Sequence, residues 1–173
     1  MDLQPAALRR ACVVALAILV VAVGSAIVLR HMLRQHPAAP GKPLPVIALV
    51  GLDGAPASVR PQSGTILYNV FATWCVPCAM EAPTLAAATP SLRARGINIV
   101  GIDQGDSREA VRTFVQHYDL RYPVFIDDRK ATNALLGARV IPETLLVRNG
   151  IVQEIYVGPL SPHALGELVA VNQ

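Results

Sequence analysis

The sequence predicts an α/β fold built on a mixed central sheet with helices on both faces. Three observations lead there. From about residue 60 onward, apolar runs of strand length alternate with helical patterns in the order β-α-β-α-β-α, followed by a hairpin and a last helix. A Cys-x-x-Cys pair, Cys75 and Cys78, lies where the first of those strands passes into the first helix. The 173 residues suffice for one domain of ordinary size plus a short appendage, and they contain no internal repeat.

The appendage comes first. Residues 11–29 are nineteen positions without a charge, and at about 1.5 Å per residue they are long enough to cross about 30 Å of hydrocarbon. This predicts a transmembrane anchor after a tail of residues 1–10. A cleaved leader normally carries an apolar core of about 7 to 15 residues, which favours an uncleaved anchor, although Val23-Gly24-Ser25-Ala26 offers small residues for cleavage. Cys12 follows Leu-Arg-Arg-Ala and reads as an ordinary small membrane residue. Charge leaves the orientation open, because Arg9 and Arg10 flank one side and Arg30, Arg34 and Lys42 the other. The very short N-terminal tail favours a cytoplasmic N-terminus. Residues 30–45, rich in proline and alanine from Gln35 to Pro45, read as a semi-extended tether, and residues 46–173 as the domain.

Net charge is +3, but its distribution matters more than its sum. Residues 1–45 hold five basic side chains against Asp2, whereas residues 46–173 hold ten basic against eleven acidic. The domain is therefore close to neutral, and no basic stripe is interleaved with aromatics, which argues against a nucleic-acid partner.

Within the domain, Leu52-Asp53-Gly54 is a turn signal between apolar residues and predicts a hairpin across Pro45–Val59. Thr65–Phe71 reads as a buried strand. The helix that starts at Cys75 takes Pro77 into its first turn, is kinked at Pro83, and ends at Pro90 and Gly96. Ile97–Ile102 is the next strand; Ser107 caps a helix running to about Tyr118; Val124–Asp127 is a short strand. A helical stretch over Lys130–Leu136 closes on Gly137. Glu143–Arg148 and Ile151–Val157 flank Asn149-Gly150, the strongest hairpin signal in the chain, and Ser161–Val171 with Pro162 in its first turn makes the final helix.

The chemistry centres on Cys75 and Cys78. A thiol at a helix N-terminus faces unpaired N–H groups and the positive end of the macrodipole, both of which favour thiolate. The spacing therefore predicts thiol–disulfide exchange in which Cys75 attacks and Cys78, one turn further in, resolves the mixed disulfide. The alternative, half of a zinc site, lacks a second Cys-x-x-Cys or a histidine pair at ligand spacing. His31, His36, His117 and His163 are scattered, which argues against a catalytic histidine.

The segments Phe71–Cys78 (FATWCVPC) with Glu81, Ile97–Asp106 (INIVGIDQGD) and Ile141–Thr144 (IPET) together resemble one family. It is the membrane-anchored, thioredoxin-fold thiol:disulfide oxidoreductases of bacterial cytochrome c maturation, of DsbE/CcmG type with ResA/TlpA relatives. The likeness covers roughly residues 43–170. It implies a thioredoxin-like fold, a mixed central sheet flanked by helices, with an N-terminal hairpin extension and one N-terminal transmembrane helix. It also implies a single-pass protein of the bacterial inner membrane with its domain facing the periplasm. Its working group is the redox-active Cys75–Cys78 disulfide, with no cofactor and no metal. The implied partners are apocytochrome c or another unfolded cysteine-containing protein as substrate, and a DsbD/CcdA-type membrane electron donor.

The resemblance further implies a cis Ile141–Pro142 bond that leaves the Ile141 backbone free to pair with an extended substrate and keeps the sulfurs approachable. A trans proline marking a strand start is the alternative. Trp74, Ile141 and Thr144 are then the substrate-binding candidates, and Pro142, Glu81 and Glu143 join the cysteines as catalytic ones. Acids near a thiolate raise the thiol pKa and make the reduced pair a better electron donor; otherwise Glu81 is a solvated helix face and Glu143 a strand-edge charge. Asn69 stands where cytoplasmic thioredoxins place a buried aspartate. Proton delivery to Cys78 must then come from elsewhere, with Glu81, Glu143 and the acidic loop of Asp103 and Asp106 as candidates; the alternative is that Asn69 is a strand polar residue satisfied by backbone and the acidic loop only a strand terminus and N-cap region. Two rival functions are a general extracytoplasmic oxidoreductase or isomerase of TlpA type and a non-enzymatic copper- or partner-binding module.

Overall fold

The computed structural model describes residues 15–16, 18–25, 38–138 and 140–170. The chain divides into two compact units, Met1–His36 and Pro37–Gln173. In the first, residues 15–16 and 18–25 are helical and exposed. A run of eight helical residues covers only about 12 Å, and no helix among the described residues is long and apolar enough to cross a membrane. The expected single-pass inner-membrane location, with the domain facing the periplasm, is corrected on that finding. The rest of the expected 11–29 span, the tail 1–10 and residues 30–37 of the tether lie outside the described residues.

The second unit holds a seven-stranded mixed sheet in the order β2-β1-β5-β4-β3-β6-β7. Its centre is β3 (Thr65–Phe71), parallel to β4 (Ile97–Asp103) on one side and antiparallel to β6 (Glu143–Arg148) on the other. A strand covered on both faces reads as a near-continuous apolar run rather than alternating, and from Ile66 to Phe71 every residue of β3 is buried, with Asn69 the polar exception. Short β5 (Val124–Ile126) lies parallel to β4. The predicted N-terminal hairpin is β1 (Ile47–Gly51) and β2 (Pro56–Val59); Gly54 takes a φ of +90° in its turn, and the Ala55 N–H donates to Asp53 Oδ1 at 2.9 Å. It docks antiparallel on β5, an edge that no local pattern specifies. At the opposite edge β6 turns into β7 (Ile151–Val157) through Asn149 and Gly150, whose φ values of 49° and 78° are the positive pair that a two-residue hairpin with the native twist requires.

The helices are α1 (Val76–Ala94), α2 (Arg108–His117), α3 (Ala131–Leu135) and α4 (Pro162–Ala170). Parallel crossovers are right-handed, and β3-α1-β4 and β4-α2-β5 step in the same direction across the sheet, so α1 and α2 land on one face. There Cys78, Leu85 and Leu92 of α1, Val111 and Phe114 of α2, and Leu165 and Leu168 of α4 pack with Leu67, Ile99 and Leu146. Phe114 stacks on Phe71 at 5.1 Å between ring centroids. The other face carries Ile66, Tyr68, Val70, Leu145 and Val147 against Leu136, Ala138 and the N-terminal residues Leu44 and Ile47.

Two local expectations change. Helix α1 runs through Pro90 to Ala94 and gives out just before Gly96, the second of the two expected stops, because Leu92 beyond the proline is part of the core. Pro90 is exposed, where water can meet the carbonyl that its missing N–H leaves open. Residues 41–44, inside the stretch read as a tether, lie along β7. The Gly41 N–H donates to Val152 O at 2.8 Å, the Val152 N–H to Lys42 O at 2.9 Å and the Leu44 N–H to Gly150 O at 2.8 Å. Leu44 is buried, so the packed unit begins before residue 46.

Candidate active site

The end of β3 delivers the chain into a short loop, and Cys75 becomes the N-cap of α1. It holds extended backbone (φ −80°, ψ 109°) while its Sγ accepts from the Cys78 N–H at 3.3 Å. That contact is the local reason for thiolate stabilisation: an orphan helix N–H points at the sulfur. Cys75 and Cys78 are joined as a disulfide with their Cα atoms 5.2 Å apart. Both are buried, Cys75 at 5% exposure and Cys78 at 1%, so the small opening to solvent is on Cys75. The Ile141–Pro142 bond is cis. It places the Ile141 carbonyl oxygen 3.8 Å from Cys75 Sγ, within reach of a thiol once the pair is reduced. Ile141 is half-buried and Pro142 buried. Trp74 is 71% exposed beside the sulfurs, and Val76, Met80 and Val140 are also large apolar side chains left in solvent.

Glu81 follows Cys78 by one helical turn and is 1% exposed. Its Oε1 accepts from Asn69 Nδ2 at 2.7 Å and its Oε2 from the Leu160 N–H at 2.9 Å. Burial pushes its pKa up to about 7 although both hydrogen bonds favour the charged form. The buried Tyr122 is raised by its own burial and then by the Glu81 charge, which places the phenol within electrostatic reach of that carboxyl. Asn69 donates a second bond to Thr144 Oγ1 at 3.0 Å. Thr144, expected to contact substrate, is instead fully buried with its hydroxyl turned to Asn69, because it sits opposite Asn69 in the β3–β6 ladder.

Glu143 separates from this group. Opposite residues in a ladder share a face, and Glu143 pairs with Val70 whereas its neighbour Thr144 pairs with Asn69. Glu143 therefore projects to the face away from α1 and Glu81. It is buried, Oε1 has no hydrogen-bond partner, and burial pushes its pKa up to about 7.

The acidic loop divides its work. Asp106 Oδ2 accepts from both the N–H and the hydroxyl of Thr73, each at 2.7 Å, and so ties down the loop that carries Trp74 and Cys75. Asp103, fully buried, accepts the Asp106 N–H at 2.7 Å on Oδ1 and leaves Oδ2 without a hydrogen-bond partner. Burial pushes Asp103 up to about 7; the Asp106 N–H pulls the other way and the Asp106 charge adds to the rise. Thr73, Tyr122, the Leu160 N–H and Gln104 are structural partners that sequence reasoning missed. Their contacts join residues such as Thr73 and Asp106, or Glu81 and Leu160, that are 33 and 79 positions apart, so no local pattern marks them. Among the described residues no group of three or more His, Cys, Asp or Glu side chains is arranged to hold a metal ion.

The sequence profile of the AhpC/TSA family matches residues 40–155. The chain is 30% identical over 146 residues to the thiol-disulfide oxidoreductase ResA of Bacillus thuringiensis subsp. konkukian, covering 83% of this chain and 84% of that protein. Its fold is similar to that of a thiol:disulfide interchange protein of the thioredoxin family from Chlorobium tepidum, with a TM-score of 0.65 and 27% identity over 76% of this chain and 96% of the other. It also resembles in fold a secreted Mycobacterium tuberculosis disulfide oxidoreductase homologous to E. coli DsbE, with a TM-score of 0.64 and 23% identity over 72% and 94% of the two chains.

Proposed function

We propose, on the premise that the chain belongs to the AhpC/TSA family and is a thiol:disulfide oxidoreductase, that its Cys75–Cys78 pair works in the reductive direction. The substrate we infer is an oxidised cysteine pair in an unfolded polypeptide, in particular the haem-attachment Cys-x-x-Cys-His segment of apocytochrome c. The Cys75 thiolate attacks one substrate sulfur, the substrate S–S bond breaks, and the departing thiolate takes a proton. Cys78 then attacks Cys75, which closes the Cys75–Cys78 disulfide and releases the second substrate thiolate. Two electrons have passed to the substrate, and a dithiol donor of DsbD/CcdA type returns the pair to its reduced form.

The observation that carries this direction is the Glu81 carboxyl buried one turn behind Cys78. A negative charge there opposes the thiolates that a strong oxidant must stabilise, and so favours giving electrons away. The Ile141 backbone beside Cys75, with the exposed ring of Trp74, supports a substrate held as an extended strand.

The test is a redox titration of the full chain together with turnover of a Cys-x-x-Cys-His peptide disulfide. The expected midpoint is more negative than about −220 mV, and Cys78→Ser should accumulate a mixed disulfide through Cys75. A midpoint near about −120 mV, typical of a strong oxidant, with no peptide reduction would overturn the proposal.

A further inference from the structure

Gln104 lies just past the end of β4 and is attached to both arms of the site. Its backbone N–H donates to Phe71 O at 2.9 Å, at the end of the strand that leads into Cys75. Its side chain reaches the other way: Nε2 donates to Asn133 Oδ1 at 2.7 Å and to Ala138 O at 2.8 Å, with Thr132 Oγ1 at 3.4 Å. A primary amide has two N–H donors, and these two short bonds use both.

The acceptors are themselves fixed. The carboxylate of fully buried Asp127 accepts the Ala131 N–H at 2.9 Å on Oδ1, and the N–H and hydroxyl of Thr132 at 2.7 and 2.8 Å on Oδ2. The Ala138 N–H returns to Thr132 O at 3.3 Å, and Ala138 is fully buried. Ala138 precedes Ile141 by three residues, and the Ile141 carbonyl stands 3.8 Å from Cys75 Sγ. One residue, through its backbone N–H on one side and its side-chain amide on the other, thus links the strand that leads to the nucleophile with the segment that precedes Ile141.

We propose that Gln104 is a positioning residue that sets how the Ile141–Pro142 segment stands across from Cys75. It thereby governs the docking of an extended disulfide-bearing chain but not attack on a small disulfide. The distinction follows from what each step uses. Thiolate formation at Cys75 relies on the α1 N-terminus, where the Cys78 N–H meets Sγ, whereas an extended substrate pairs with the Ile141 backbone, three residues beyond the Ala138 carbonyl that Gln104 holds. The inference rests on the reading that substrates pair with Ile141 as a strand.

The experiment uses the full chain, with Gln104→Met as a near-isosteric side chain without donors and Gln104→Glu as a donor only when protonated. Two oxidised substrates are compared: a ten-residue peptide with an internal Cys-x-x-Cys disulfide, and 5,5′-dithiobis(2-nitrobenzoate). Gln104→Met should raise KM for the peptide on the order of tenfold, the equivalent of about one lost hydrogen bond. Its kcat and its rate with the small disulfide should stay within about twofold of the wild type, and its redox midpoint within about 10 mV, the equivalent of about twofold in the equilibrium constant. Gln104→Glu should show the same defect at pH 8 and recover toward the wild type, measured at each pH, as acidification protonates the carboxyl.

Equal losses on both substrates, or no loss on either, would overturn the proposal. A backbone N-methylated peptide, which cannot pair as a strand, separates the two readings. If the wild type reduces it as well as the parent peptide, the strand-pairing reading fails. If N-methylation raises KM but Gln104→Met does not, the Gln104 inference fails alone. Should Gln104→Met not fold, the pH recovery of Gln104→Glu decides, and its absence counts against the proposal.

Discussion

Glu81 and Glu143 look alike in the sequence and are both buried with pKa values pushed up to about 7, yet they lie on opposite faces of the sheet. Glu81 shares the buried face of α1 with Cys78, and its charged form opposes a thiolate there. Glu81→Gln should therefore lower the active-site thiol pKa by about one unit, or about 1.4 kcal/mol, and move the couple about 30 mV in the oxidising direction. Because Glu81 itself ionises near pH 7, the difference from the wild type should widen between pH 6 and pH 8. Glu143→Gln should shift the thiol much less. Thiolate absorbance and redox-buffer equilibration of both variants check this, and equal shifts would remove the distinction between the faces. The cysteine pair stood out by its spacing alone, whereas the proline and both glutamates were marked by the family resemblance of the segments that carry them. Their division into two environments was not, since a strand's two faces alternate and only the β3–β6 register tells which residue meets Asn69.

At the scale of elements, the loop between β3 and α1 is held less by its own sequence than by the acidic loop after β4. Both hydrogen bonds from Thr73 end on Asp106 Oδ2 at 2.7 Å. Asp106→Ala should cost about 2 kcal/mol of stability, in line with losing bonds to a charged acceptor at a half-buried site. It should also speed alkylation of reduced Cys75 by loosening the chain ahead of the N-cap. Urea unfolding and timed labelling with iodoacetamide measure the two effects; an unchanged midpoint would show that water replaces the carboxylate at no cost. The Ser107 N-cap, the Asn149-Gly150 turn and the Asp53-Gly54 turn were readable because each is decided within four residues. Of the two residues expected to punctuate the end of α1, Gly96 does so and Pro90 does not, for the complementary reason: burial of Leu92 against the sheet outweighs a local breaker.

For the whole molecule, Glu81, Asp103 and Glu143 have ordinary values of 4.5, 3.8 and 4.5 and are each raised to about 7 by burial. Between about pH 4 and pH 7 the folded chain holds protons that the unfolded chain has already released. Stability must therefore fall as pH rises through that window, by at most about 1.4 kcal/mol per pH unit for each group, and level off above it. Urea midpoints at pH 4.5, 6 and 8 should decrease in that order, and Glu81→Gln should flatten part of the slope. A midpoint that rises from pH 4.5 to pH 8 would show that these carboxyls are ionised in the folded state throughout.

What the sequence determined by itself was everything that depends on neighbours along the chain. Periodicity and turn residues marked the strands, helices and hairpins, and the Cys75-Val76-Pro77-Cys78 spacing at a helix start carried the redox chemistry. The charge-free run over residues 11–29 was equally visible, but a hydropathy pattern is a statement about composition, and among the described residues no helix of spanning length stands there. Only the tertiary structure decided which sheet edge takes the N-terminal hairpin, that residues 41–44 lie along β7, that Thr144 turns inward, and that Gln104 reaches from Phe71 to Ala138. Each of these is a pairing between segments distant in sequence. Its free energy comes from desolvated hydrogen bonds and shared burial, which exist only once the sheet has brought the partners together.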